Sequence, residues 1–200
     1  MNAVDIKFYF NFRSPYCYLV SKRVFGLDER FHINWQWRPL GGWDGRSKPD
    51  RVVKKLPLAR QDLARWCARY GIPMNPPPKT TDPTRAGAAS LYAQAQGKLK
   101  PYLVETMHAE WGEGLDIGQL DVLSEIATRI GLDAHALCAA ADDPANLAQL
   151  DTYAQEAETD GVIGVPSFVI DDQIFWGNDR LDFVEEHLAH LGAQKTSQKI

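Results

Sequence analysis

The sequence predicts an α/β fold in which a β-α-β unit and a β-β-α unit flank an all-helical insertion. Three observations carry this. Residues 5–12 (DIKFYFNF) and 32–38 (HINWQWR) alternate as half-buried strands do. Helical spacing of three and four runs from about Pro49 to Asp160. A short hairpin and an amphipathic helix then close the chain within GVIGVPSFVIDDQIFWGNDRLDFVEEHL. With 200 residues, 44% of them hydrophobic, the chain can bury one good core and a helical subdomain, while two independent domains would be a tight fit.

After the first strand, Ser14 is placed as an N-cap and Pro15 as the first helical residue, where its missing N–H costs nothing. The helix they open is expected over Tyr16–Phe25, and Ile33, Trp35 and Trp37 share one side of the second strand. In the helical middle Leu120, Leu123, Ala127 and Ile130 recur on one face, and Gly131 can close that helix. Asp133 and the Asp143-Pro144 pair are further helix starts. GIPMNPPPKTTDPT, residues 71–84, reads as loop, stiffened by three consecutive prolines. Ser167–Ile170 and Ile174–Trp176 flank Asp171-Asp172-Gln173 as a hairpin, and Asp179 is placed to cap a last helix with Leu181, Val184 and Leu188 inward. This order is the thioredoxin arrangement with an all-helical insertion. Residues 1–48 and 161–192 form a discontinuous thioredoxin-like domain, 49–160 the insertion, and 193–200 a flexible polar tail.

Composition excludes several function classes. Lys and Arg number 22 against 26 Asp and Glu, a net charge of -4 with no basic block, so nucleic acid is not an expected partner. Met1 to Lys7 lead straight into a strand without the long apolar run of a signal peptide, and no membrane span is read, so a cytoplasmic protein is expected. Cys17, Cys67 and Cys138 are odd in number and far apart, which points to free thiols. No metal site is expected.

The motif that carries chemistry is Ser14-Pro15-Tyr16-Cys17, which has the form of a Cys-x-x-Cys redox site whose first cysteine is replaced by serine. The residues alone leave two readings of Ser14: a plain helix cap contributing about 1 kcal/mol, or a hydroxyl that faces a thiol. Cys17, one turn into the helix, reads as a small buried hydrophobe, with a one-cysteine redox role as the alternative.

Five segments in register over residues 8–188, FYFNFRSPYCYL, DLARWCARYGIP, EWGEGL, GVIGVPSFVI and FWGNDRLDFVEEHL, resemble the 2-hydroxychromene-2-carboxylate isomerases. That family is similar to kappa-class glutathione transferases and, more distantly, to DsbA-like disulfide oxidoreductases. The resemblance implies that Ser14 faces the sulfur of bound glutathione, so that the tripeptide brings the thiol the chain's own motif lacks. It also implies a cis peptide before Pro166, with the backbone of Val165 gripping glutathione as an added strand. Trp176, Asn178 and Asp179 become glutathione contacts, Asp179 through the γ-glutamyl ammonium group.

Lys48, Lys54, Lys55 and Arg60 lie where the family approaches the carboxylates of substrate and glutathione, with Lys55 and Arg60 as candidate substrate contacts and Trp111 as a candidate wall of an aromatic pocket. An asparagine usual in that loop is absent here, and Leu58 stands in place of a tyrosine. The implied reaction is glutathione-dependent interconversion of 2-hydroxychromene-2-carboxylate and trans-o-hydroxybenzylidenepyruvate, an aromatic keto acid, by a homodimer. Two rival readings remain at this stage. One is a kappa-like transferase or one-cysteine disulfide oxidoreductase; the other is a non-catalytic thiol-peptide binding module in which Ser14 only caps.

Overall fold

The computed structural model describes residues 3–42 and 49–195, the side chains of 49–54 excepted. Strand β1 (Val4–Phe10) pairs in parallel with β2 (Ile33–Pro39), Val4 opposite Ile33 and Phe10 opposite Pro39. On its other edge β1 takes β3 (Ser167–Ile170) antiparallel, with Tyr9 opposite Ser167. Strand β4 (Gln173–Trp176) continues antiparallel from β3, so the sheet order is β2-β1-β3-β4. The turn between them is only Asp171-Asp172, with Asp171 in the left-handed region at φ 52°, a conformation a short polar side chain tolerates.

Both faces of β1 are buried, which its Phe8-Tyr9-Phe10 run requires. Ile6, Phe8 and Phe10 are inaccessible on one face, where Phe8 stacks on Phe168 at 4.7 Å and meets Trp37 edge-on at 5.9 Å. Tyr9 turns to the other face and packs with Leu40, Ala157, Val162 and Val169.

The crossover from β1 to β2 begins as helix α1 (Pro15–Ser21), tightens to a 3-10 turn over Val24–Gly26, and ends in α2 (Leu27–Arg30). The single helix expected over Tyr16–Phe25 is therefore interrupted, and Gly26, a weak helix former, sits where it tightens.

The insertion runs through α3 (Pro49–Tyr70), α4 (Thr84–Ala95), α5 (Leu99–Trp111), α6 (Leu120–Ile130), α7 (Ala134–Ala141) and α8 (Pro144–Thr159). Gly131 closes α6 at φ 70°, and Asp133 and Asp143 cap α7 and α8 by accepting from Ala136 N and Ala145 N, as expected. One continuous apolar cluster links the sheet to the insertion, joined where Phe12 meets Tyr102 edge-on at 5.8 Å. Among the described residues no helix is long and apolar enough to cross a membrane, and no cluster of His, Cys, Asp and Glu could hold a metal ion.

Two expectations are corrected at the C-terminal end. Helix α9 (Leu181–His190) buries Leu181, Val184 and Leu188 as expected, but Asp179 does not cap it. A 3-10 turn over Asn178–Arg180 intervenes, leaving Arg180 at the cap position with Asp179 paired to it at 2.7 Å. The tail expected to be flexible from residue 193 is docked at its start. Ala193 is buried and its carbonyl accepts from His32 N at 2.7 Å, while Lys195 N donates to Arg30 O at 2.8 Å.

Helix α8 is fastened to the sheet by charge. Lys7 Nζ lies 2.7 Å from Asp160 and 3.0 Å from Glu156, Arg38 Nε donates to Glu156 at 2.6 Å, and Tyr9 Oη donates to Asp160 at 2.7 Å. Burial alone would raise both carboxylates, but the hydrogen bonds and charges of Arg38, Lys7 and Tyr9 hold Glu156 and Asp160 below their ordinary values. Carboxylates lowered by folding contribute stability above their unfolded pKa, and that stability is lost as pH falls through the folded value. The stability gap between the wild type and Lys7→Met is therefore expected to be full above about pH 5 and to close below about pH 4. Urea titrations across that range check it, and a gap independent of pH would contradict it.

Candidate active site

The loop between β1 and α1 ends in Ser14, whose backbone is extended at φ −91° and ψ 114°. Its Oγ accepts from Cys17 N at 3.4 Å, and its carbonyl accepts from Cys17 N at 3.0 Å and Tyr18 N at 3.2 Å. Ser14 is thus a helix cap. Its hydroxyl also donates to Val165 O at 3.2 Å, across 151 positions of sequence. The Val165–Pro166 peptide bond is cis. One hydroxyl therefore spans the motif and the proline loop, with its single proton directed at a backbone carbonyl.

The walls around this bridge come from β4 and the turn after it. Trp176 is half exposed and its indole lies so close to Gly164 that a Cβ there would stand 2.8 Å from Nε1. A side chain at position 164 would require the Trp176 ring to move. Gly177 N donates to Pro166 O at 3.0 Å, which holds the Trp176–Asp179 segment against the proline loop. Asn178 is buried in the turn that packs against α1, and its Nδ2 has no hydrogen-bond partner among the described residues. Asp179 is exposed, and its charge reaches Tyr16, whose phenol burial and then Asp62 and Asp179 push up to about 12.

Helix α3 borders the same site. Asp62 accepts from Tyr16 Oη at 3.3 Å, and Leu63 and Cys67 pack on Leu19. Lys55 is exposed two helical turns before Asp62, about 10 Å along the axis on the same face. Arg60 is exposed but two positions from Asp62, off that face. Both candidate cations lie on α3, the helix that borders the site, with Pro57 between Lys55 and Asp62. Lys48 and the side chain of Lys54 lie outside the described residues.

Two residues missed in the sequence lie directly behind Ser14. Arg13, mostly buried, places Nη1 3.5 Å from Glu110, donates from Nη2 to Pro78 O at 3.1 Å, and lies over Trp111 at 5.5 Å. Glu110 is inaccessible, and burial holds its carboxyl well above the usual range, further than the neighbouring Arg13 pulls it back. A signal was present: Leu103, Met107 and Glu110 recur at four and three along the buried stripe of α5, so a carboxyl stood where an apolar residue was due.

Trp111, expected as a substrate wall, is only 7% exposed, and its indole N–H donates to Phe12 O at 2.9 Å. The structure makes it a support for the loop before Ser14. Cys17 is buried beneath Ser14, and burial pushes its thiol up to about 12, with hydrogen bonds from Asn11 and Ser14 offsetting only part.

The DsbA-like thioredoxin domain family matches residues 5–189. A 2-hydroxychromene-2-carboxylate isomerase from Sphingobium xenophagum is 36% identical over 191 residues, covering 92% of this chain and 97% of that protein. The chain belongs to this isomerase family. A solved 2-hydroxychromene-2-carboxylate isomerase superposes with a TM-score of 0.82 at 26% identity, covering 94% of this chain and 96% of the other. The cytosolic disulfide reductase DsbM from Pseudomonas aeruginosa, solved with GSH, shares the fold with a TM-score of 0.67 at 19% identity, covering 94% and 98%. The chain is an enzyme of the isomerase type on a DsbA-like thioredoxin fold.

All three cysteines are free thiols, and burial raises each of them. Three units of pKa leave about a thousandfold less thiolate at a given pH. In the folded enzyme at pH 8, Cys17 is therefore expected to alkylate at least about a thousandfold more slowly than in the unfolded chain. Labelling of Cys17 at the unfolded rate, or an intramolecular bridge in non-reducing mass spectrometry, would contradict it.

Proposed function

We propose that the enzyme isomerises 2-hydroxychromene-2-carboxylate to trans-o-hydroxybenzylidenepyruvate, or a closely related aromatic keto acid, with glutathione as a nucleophilic cofactor, in a reducing cytoplasmic compartment. The observation that carries the reading is the hydroxyl of Ser14 standing 3.2 Å from Val165 O at the cis-proline loop, while Cys17 is buried. The chain thus offers a neutral donor, and no accessible thiol of its own, where an oxidoreductase of this fold needs a nucleophile.

The donor set fits the tripeptide. Asn178 and Lys55 carry donors of the kind that suit carboxylates, and the exposed Asp179 suits an ammonium group. Val165 and Pro166 supply the backbone edge, and Trp176 the wall beside it. When bound, glutathione supplies a thiolate whose reversible addition to the conjugated double bond allows rotation about it.

The protein's part is to favour that charge. Ser14 turns its proton from Val165 O to the sulfur, exchanging a hydrogen bond to a neutral carbonyl for a charge-assisted one. Helix α1 has only seven residues, so the hydroxyl and not a long helix dipole is the principal aid. Burial keeps Cys17 a thiol, so it does not compete with the cofactor.

Serine's two roles are separable by glycine. At an N-cap, glycine costs only a few tenths of a kcal/mol relative to serine, yet it removes the hydroxyl. Ser14→Gly is expected to melt close to the wild type while its turnover, followed by ultraviolet absorbance with glutathione present, falls at least about tenfold. Aspartate would be a poorer probe, because a carboxylate at this position meets Val165 O. Wild-type turnover that is independent of glutathione, or full activity in Ser14→Gly, would overturn the proposal.

A further inference from the structure

We propose that the helical insertion aims the Ser14 hydroxyl, with Trp111 and Glu110 as positioning residues that act through Phe12 and Arg13. This rests on the glutathione reading for its chemical consequence, though not for its geometry.

The Ser14 backbone is bonded within its own domain, its N–H donating to Asn11 O at 3.0 Å, but its hydroxyl is weakly held. The side-chain bonds, 3.4 Å from Cys17 N and 3.2 Å to Val165 O, are longer than usual hydrogen bonds. The direction of the hydroxyl is therefore inherited from the loop Asn11–Ser14, which joins Phe10 of β1 to Pro15 of α1. The first residue of that loop is tied to β2: Asn11 Nδ2 donates to Leu40 O at 2.7 Å, and its Oδ1 accepts from Arg13 N at 2.7 Å.

The next two residues are also gripped from the insertion side. Phe12 packs its ring on Tyr102, and its carbonyl accepts the Trp111 indole proton. Arg13 is held by Glu110, by Pro78 O and by the face of Trp111. Consecutive residues at the end of α5 thus grip consecutive residues before Ser14. The grip is itself braced, since Asn75 N donates to Trp111 O at 2.7 Å and Asn75 Nδ2 to Gly112 O at 2.6 Å.

These contacts are buried, so water does not replace them when one is removed. A shift of the loop moves the hydroxyl relative to whatever lies along Val165, and displacements of about 1 Å at a reacting group cost up to about a hundredfold in rate. The clamp thereby links the insertion to the charge state of the sulfur without touching it.

The test uses Trp111→Phe, which keeps a ring over Arg13 and removes the N–H to Phe12 O, together with Glu110→Ala and Glu110→Gln. Positioning predicts that Trp111→Phe and Glu110→Ala lower kcat about tenfold or more. KM for the aromatic substrate should stay within about twofold, and the thiol pKa of bound glutathione should rise. Glu110→Gln, which preserves an acceptor for Arg13, should restore both readouts.

If Glu110→Ala does not fold, Trp111→Phe decides. Unchanged kcat and thiol pKa in a folded Trp111→Phe, with only melting lowered, would reduce the clamp to packing. A Glu110→Gln variant as impaired as a folded Glu110→Ala would show that charge matters and not geometry, and would also overturn the proposal. Hydrogen exchange separates this from the glutathione reading. Amides of Cys17 and Tyr18, which bond to Ser14, should exchange faster in Trp111→Phe with no glutathione present. A wild type that holds no glutathione thiolate would sink the cofactor reading, while the exchange result would still decide the clamp.

Discussion

Phe8 of β1 stacks on Phe168 of β3 at 4.7 Å and 4°, in an antiparallel pair that puts Tyr9 opposite Ser167. This pairing brings together two pieces of chain separated by the whole insertion. The entropy of closing such a loop grows only slowly with its length, so a long helical insertion is tolerated if the closing contact is strong. Stacked, fully buried aromatic rings on a central strand provide that contact. Its register determines the site. With Tyr9 opposite Ser167, the loop leaving β1 and the loop entering β3 emerge at the same end of the sheet, and Ser14 meets Val165. A one-residue slip would turn Phe8 and Phe10 onto the opposite face of the sheet, away from Phe168 and Trp37, and separate these two residues.

Local patterns made much of this legible. The alternation of the strands, the caps at Asp133 and Asp143, the left-handed Gly131 and the pair Ser14-Pro15 are all short-range signals, and all occur where expected. What was hidden depends on contacts distant in sequence. Asp179 has the residue type of a cap, but Gly177 at φ 117° and the 3-10 turn shift the helix start beyond it. The polar tail looked unanchored because its partners, Arg30 and His32, lie at the far end of the sequence. Trp111 is indistinguishable by type from a pocket wall, and only the carbonyl of Phe12 reveals its role. Arg13 and Glu110 are 97 positions apart, and neither carries a motif.

The two halves of the molecule contribute differently to the site. The sheet side brings together the Val165 backbone, Asn178, the exposed Asp179 and the Trp176 ring around Ser14. The insertion packs against the loop before Ser14 through Tyr102, Glu110 and Trp111. Cys17 lies at the junction of the two, and its burial there follows from the same close packing that holds the loop. The packing that steadies Ser14 is also what silences the neighbouring thiol.

On the proposed glutathione reading, a neutral hydroxyl would be an apt partner for a sulfur that must gain and lose charge. It has one proton, and in the absence of a ligand that proton is directed at Val165 O. Toward a protonated thiol, leaving the carbonyl brings little, because one neutral hydrogen bond replaces another worth about 0.5–1.5 kcal/mol. Toward a thiolate the new bond is charge-assisted and contributes about 1.5–3 kcal/mol. The difference of about 1 kcal/mol corresponds to somewhat under one pKa unit. In that proposal Ser14 would favour the nucleophilic form modestly, and the modesty matters: a thiolate stabilised much further would be a poorer nucleophile, since reactivity falls with pKa. A fixed positive charge in place of Ser14 would press the balance further toward an inert anion, whereas the hydroxyl donates most strongly only once the charge has formed.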